Sequence, residues 1–240
     1  VSRPSAGAII VAAGRSQRMG GADKTLAPLA GLPATAHSLR AFADCAGVDA
    51  IVLVSGERNH DALMALAEEY GRGKVVAVVP GGAQRQDSVG EGLAALPPTE
   101  IVAVHDAARP LVTVAMIERG LALAEQHGAA SAAVPARDTI KETRPLPDGT
   151  AEVVRTIDRS TLWTVQTPQV FRRDLLARAH AGAAANGLKA TDDAMLVESL
   201  GQPVVVYDVE GPNLKLTTPD DLTLAAALLL ARPQPTPAEG

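Results

Sequence analysis

Short apolar runs alternate with longer alanine- and leucine-rich segments along almost the whole chain. This alternation is the feature that most narrows the fold. The runs are Ala8–Val11, Ile51–Val54, Val75–Val79, Ile101–Val104 and Ala132–Val134, with a further one at 203–207. Helical patterns fill the spaces between them, at about 34–44, 59–70, 85–96 and 113–127, then 172–186, 192–200 and 219–231. Strand followed by helix, repeated, predicts an α/β fold: a Rossmann-like, mostly parallel sheet with helices on both faces. The runs are apolar throughout rather than alternating in polarity, as strands covered on both faces require.

The rhythm breaks at 137–160, RDTIKETRPLPDGTAEVVRTIDRS. Two short β-like runs flank a Pro-Asp-Gly turn there. A charged hairpin that projects alone is poorly stable, so this arm is expected to pack on another chain. No linker divides the sequence, so one domain over 1–240 is expected, with a disordered tail from about 232 and no second enzyme after it.

Composition sharpens the picture. Hydrophobic residues make up 47% of the 240, but aromatics only 2%, so Ala, Val and Leu must build the core. With 22 Lys and Arg against 27 Asp and Glu, the net charge of −5 argues against a general nucleic-acid binder. Any anion site must be a local cluster of cations. The single cysteine, Cys45, excludes an intrachain disulfide and a cysteine-rich metal site. No apolar stretch reaches the ~20 residues of a membrane span, and the N-terminus lacks a signal-peptide layout. A cytoplasmic protein is expected.

The first strand leads into Ala12-Ala13-Gly14-Arg15-Ser16-Gln17-Arg18-Met19-Gly20 and, beyond it, Lys24. Strand, glycine-rich loop and helix together place phosphate against backbone amides. The loop is neither G-x-G-x-x-G nor a P-loop, since Asp23 stands directly before Lys24. Arg18 and Lys24 are in reach of a phosphate held there; the plainer alternative is a glycine loop with two solvated cations. A second cluster, PGGAQRQDSVGEGL at 80–93, ends a strand at Gly81-Gly82 and opens a helix with Arg85 and Ser88. That turn suits a base or a phosphate, or simple helix capping by Ser or Asp. A third, VHDAARP at 104–110, puts His105 and Asp106 at a strand's C-terminal end, where open α/β sheets bind ligands. Asp106 is a candidate Mg²⁺ ligand or the ion-pair partner of Arg109, and His105 is read as structural. Thr139, Lys141, Arg155 and Arg159 lie on the hairpin, and Lys215 precedes TTPDDL.

In order, AAGRSQRMG…K, GGAQRQDSV, VHDAARP, RDTIK, LWTVQTPQ, TDDA and NLKLTTPDDL resemble the 2-C-methyl-D-erythritol 4-phosphate cytidylyltransferases of the non-mevalonate isoprenoid pathway, over about residues 8–228. The resemblance implies transfer of CMP from CTP to methylerythritol 4-phosphate, with Mg²⁺, releasing pyrophosphate. It implies that Ala12, Ala13, Gly14, Arg18, Lys24, Gly82, Arg85, Ser88 and Ala107 bind CTP. Arg18 and Lys24 would stabilise the transition state. Asp106 would sit by the metal and ribose, and Thr139, Arg159 and Lys215 would hold the acceptor. It also implies a homodimer in which the arm carries Thr139 and Arg159 to the partner's site. The chain departs from the pattern at Asp23, often Pro, and at Thr25, commonly Gln. It is also shorter at Gly211-Pro212-Asn213, so no second carboxylate ligand is assigned.

The chemistry needs no general base, because the acceptor phosphate is already ionised. The task is in-line alignment and neutralisation of charge. The alternatives are a ribitol 5-phosphate cytidylyltransferase, and a non-catalytic nucleotide-binding protein on the same fold.

Overall fold

The structure is a computed structural model that describes residues 3–14 and 23–232. Arg18 and the tail from 233 lie outside the described residues.

Seven strands form the central sheet: β1 (Ala6–Val11), β4 (Ala50–Ser55), β5 (Val75–Pro80), β6 (Ile101–Asp106), β7 (Ala129–Pro135), β10 (Trp163–Arg172) and β11 (Val205–Asp208). Their order is β11-β7-β10-β6-β1-β4-β5. Every neighbouring pair is parallel except the two made by β10, which runs antiparallel to both β6 and β7. Two two-residue strands, β2 (Pro28–Leu29) and β3 (Leu32–Pro33), make a small separate ladder.

Side chains alternate across the pleat, so each strand feeds two cores. Ala8, Ile10, Ile51 and Leu53 face one layer, where α1 (Ala34–Asp44), α2 (His60–Tyr70) and α4 (Val114–His127) pack. Ile9, Val52, Val54 and Val104 face the other, under α3 (Arg85–Ala95), α5 (Arg173–Asn186) and α6 (Asp193–Glu198). The last helix, α7 (Pro219–Leu230), closes a satellite cluster with Leu29, Ala108 and Leu216. The expected mostly parallel sheet with helices on both faces is therefore present, and the helix spans match the expected ones closely.

The expected hairpin is β8 (Ile140–Pro145) paired antiparallel with β9 (Ala151–Ile157), both almost wholly exposed. β10 is the strand that the rhythm of the sequence does not reveal. Its Pro168 has no N–H to donate to a ladder, which argues against a strand. In the structure it falls within the register shift between Val165 and Gln169, so no ladder bond is lost.

Candidate active site

β4 lies on one side of β1 and β6 on the other, so the loops leaving their C-terminal ends diverge. Ligands of open α/β sheets bind in such a crevice. A cavity of about 370 Å³ opens here. Ala13, Gly14, Lys24, Gly82 and Ser88 contribute to its walls, and Arg85, Asp106 and Lys215 line the side toward β6. Gly81 makes the close approach possible: a Cβ there would stand 2.5 Å from that of Ala13 and 2.7 Å from Ser88 Oγ. Ser88 Oγ donates to the Gln84 carbonyl, and Gln84 and Asp87 form the capping box of α3.

Two of the expected nucleotide residues do not line this cavity. Ala12 gives its N–H to the Val54 carbonyl, and Ala107 gives its own to that of Val11. Both side chains are buried in the core, and Ala108 lines the cavity instead.

A second cavity, about 280 Å³, shares Arg85, Asp106 and Lys215 with the first and adds Arg109, Gln166, Thr167 and Asp192. The three shared residues form a bridge between the two spaces. Arg85 Nε donates to Asp106 Oδ1 at 3.0 Å, and Lys215 Nζ to Asp106 Oδ2 at 2.6 Å. Behind the bridge, Arg85 Nη1 donates to Asp193 Oδ2 at 2.6 Å, and His180 Nε2 lies 3.0 Å from Asp193 Oδ1. Asp193 is fully buried and its backbone N–H donates to Gln169 Oε1. Burial pushes the Asp106 carboxyl up, but Arg85 and Lys215 outweigh it and hold it far below its ordinary value. Burial likewise works against the Arg85 charge, and Asp106 and Asp193 more than offset it.

Asp106 therefore pairs with Arg85 and Lys215, not with Arg109, whose guanidinium donates to the Asn213 carbonyl. Among the described residues, Arg85 Nη2, Arg109 Nε and Asn213 Oδ1 are buried and find no hydrogen-bond partner, and Arg85 and Arg109 both line the second cavity. Sequence reasoning missed Asp193, His180 and Thr167 as members of the site; TDDA and TPQ signalled two of the three. His105 is structural as expected. Its ring sits between Thr167 Oγ1 at 3.1 Å and the Arg109 carbonyl at 3.2 Å. Burial lowers its pKa to about 4, so it is neutral at pH 7.

The carboxylate of Asp23, beside Lys24, is already partnered by Thr25 and Asn59. Thr139 and Arg159 are exposed on the hairpin side of the chain, and neither lines these cavities. A larger cleft of about 630 Å³ opens at the other end of β6, around Thr99, Glu100, Arg172 and Arg173. Arg173 there donates to the Leu93, Leu96 and Pro97 carbonyls and Arg172 to the Glu125 carbonyl, so both guanidiniums are engaged by backbone oxygens.

A family model described as 2-C-methyl-D-erythritol 4-phosphate cytidylyltransferase matches residues 6–231. The chain is 47% identical over 223 residues to the enzyme of that name from Dehalococcoides mccartyi, covering 93% of this chain and 95% of that one. It is 49% identical to the one from Symbiobacterium thermophilum, covering 92% and 91%. Among solved structures, the cytidylyltransferase of Thermus thermophilus is similar at 33% identity and TM-score 0.73, covering 92% of this chain and 98% of that one. The 4-diphosphocytidyl-2C-methyl-D-erythritol synthase of Anaerococcus prevotii superposes with TM-score 0.81 at 28% identity, covering 95% and 99%.

Proposed function

From the premise that the chain belongs to the 2-C-methyl-D-erythritol 4-phosphate cytidylyltransferase family, we propose how its own residues perform the reaction. The enzyme transfers CMP from CTP to 2-C-methyl-D-erythritol 4-phosphate, giving 4-diphosphocytidyl-2-C-methyl-D-erythritol and pyrophosphate. One observation carries the assignment of roles: two cavities meet across the Arg85–Asp106–Lys215 bridge.

CTP takes the 370 Å³ cavity, with its triphosphate over Ala13 and Gly14 and its base toward Gly82 and Ser88. Ala12 and Ala107 support that loop from beneath. Lys24, with Arg18 from the same segment, meets the negative charge that builds on the phosphoryl oxygens and the leaving pyrophosphate. The acceptor takes the 280 Å³ cavity, with Asp106 and Lys215 at its edge. Its phosphate, ionised at pH 7, attacks the α-phosphorus in line. No protein base is required, and His105, whose pKa burial lowers to about 4, is too weak a base to act as one. Arg85 holds Asp106 and Lys215 in register as much as it faces the nucleotide.

The site fits Mg²⁺ only as an ion carried in on the triphosphate. Asp106 is the carboxylate facing both cavities, and its two oxygens are engaged by cations. Among the described residues, no group of three or more His, Cys, Asp or Glu side chains could hold a metal ion. A magnesium ion would supply further neutralisation of phosphate charge.

The acceptor site is completed in a homodimer. The 137–160 arm exposes Ile140, Val153 and Val154 (39%, 54% and 58% exposed) on a hairpin that the body of its own chain does not cover. Docking of the arm buries these side chains and brings Thr139 and Arg159 to the partner's acceptor phosphate. The body is read as one nucleotidyltransferase domain. No helix among the described residues is long and apolar enough to cross a membrane; with the net charge of −5, this supports a cytoplasmic enzyme without nucleic-acid partners.

Pyrophosphate release tests the reading. CTP with methylerythritol 4-phosphate is expected to react, and ribitol 5-phosphate, ATP, GTP and UTP are expected not to substitute. Turnover of ribitol 5-phosphate alone overturns the acceptor assignment. Tight CTP binding with no release from any pair overturns the enzyme reading.

A further inference from the structure

We propose that Asn59, together with Asp23 and Thr25, is a clamp that sets Lys24 at the donor cavity, and that Asn59 is thus a positioning residue for the transfer. The proposal rests on the role given to Lys24 above.

Asn59 is the N-cap residue of α2. Asparagine at that place ordinarily accepts a hydrogen bond from its own helix, a contribution of about 1 kcal/mol. Here its side chain makes no such bond. It is 2% exposed and turned toward the loop after β1 instead. Its Oδ1 accepts from the Gly56 N–H at 2.8 Å. Its Nδ2 shares its two hydrogens among three acceptors, the Ala12 carbonyl at 3.0 Å, Asp23 Oδ2 at 2.8 Å and Thr25 Oγ1 at 3.2 Å. One amide group therefore ties the end of β1, the loop after β4 and both neighbours of Lys24.

The neighbours are fixed to each other as well. Asp23 Oδ1 accepts from the Thr25 N–H at 2.9 Å and from Thr25 Oγ1 at 2.7 Å. The Thr25 hydroxyl gives its proton to Asp23, which leaves its lone pair for Asn59. The Leu26 N–H closes a turn onto the Asp23 carbonyl at 3.1 Å. The Thr25 carbonyl accepts from both the N–H and the hydroxyl of Thr35, at 2.9 and 2.7 Å, at the start of α1. Lys24 sits inside this turn, and its backbone has two anchored flanks. Its ammonium therefore approaches the triphosphate from a Cα whose place is set before substrate arrives. Such preorganisation is what a transition-state charge contact requires. The same bonds give the carboxylate of Asp23 a use beside an anion site: it is spent on the clamp rather than aimed at the phosphates.

The test is a set of double-mutant cycles. Thr25→Val, nearly isosteric, and Asn59→Ala are made in the wild-type chain and in Lys24→Met, and kcat and KM are measured with both substrates. In the wild-type chain each is expected to lower kcat about 10- to 100-fold, the scale on which a misplacement of about 1 Å is felt. KM for the acceptor should stay within about twofold. In Lys24→Met the same changes should cost less than about twofold in kcat, because the group they position is gone. Asn59→Ala makes no change to a cap bond of α2, and Thr25→Val serves where Asn59→Ala does not fold. Equal losses in both backgrounds overturn the proposal, as does an unchanged kcat in the folded single variants. Lys24→Met with near wild-type kcat, beside impaired clamp variants, overturns the link to Lys24 and the role of Lys24 itself.

Discussion

Replacing Asp193 by asparagine removes one charge from the chain of groups behind the active-site bridge while keeping the side chain's shape. Asp193 is fully buried, and Arg85 Nη1 lies 2.6 Å from its Oδ2. Removing one partner of a buried ion pair costs about 3–5 kcal/mol, because the other charge stays desolvated. The asparagine oxygen can still accept a neutral hydrogen bond worth about 1 kcal/mol. The expected loss is therefore about 3 kcal/mol, or roughly 6–12 °C in melting temperature for a chain of this size. Calorimetry and urea unfolding of both proteins at pH 7 read this directly. The pH dependence checks the cause. Burial pushes the Asp193 carboxyl up from 3.8, but the His180 hydrogen bond and the Arg85 charge prevail and lower it. A lowered folded-state pKa stabilises the fold above the unfolded value. The gap between the two proteins should thus be full at pH 7 and shrink as pH falls below 3.8. Because the other edge of Arg85 holds Asp106, the variant should also lose about tenfold or more in kcat/KM for the acceptor. A stability change under about 1 kcal/mol, or a loss of about 3 kcal/mol with unaltered kinetics, refutes this account of a charge chain reaching the site.

Lys24→Ala and Arg18→Ala should each lower kcat by about 10²–10³, as loss of one preorganised donor does; activity within a few-fold of wild type would remove that residue from the transition state. If the arm crosses between subunits, mixing Lys24→Ala with Arg159→Ala chains should regenerate dimers with one intact site, and no recovered activity after demonstrated subunit exchange would sink the shared site. Burial lowers the His105 pKa from 6.5 to about 4, so the unfolded chain binds a proton that the folded chain refuses. Stability should fall as pH drops from 6.5 toward 4 by about 1.4 kcal/mol per unit. His105→Gln should flatten that slope in urea unfolding at stepped pH, and an equal slope in both proteins would contradict it.

The sequence by itself determined the layers. Runs such as Ile51–Val54 and Ile101–Val104 are apolar at every position, and only a strand covered on both faces can bury them all. The helix patterns between them ended within a residue or two of α1 to α5 and α7, because local periodicity and capping residues mark those ends. Strand ends preceding AAG, GGA and HDAARP marked the crevice for the same local reason. β10 escaped because its pairing with β6 and β7 overrides the weak local pattern of WTVQTPQVF. Tertiary structure alone decided who partners whom. Arg85 meets Asp106 across 21 positions and Asp193 across 108, and Lys215 reaches Asp106 across 109. Asn59 finds Asp23 across 36. Nothing in the nearest neighbours of Asp106 distinguishes Arg109, three residues away, from Arg85 and Lys215. The choice is made by where β6, α3 and the segment before α7 converge, and by the high cost of leaving a carboxylate buried there without a cation.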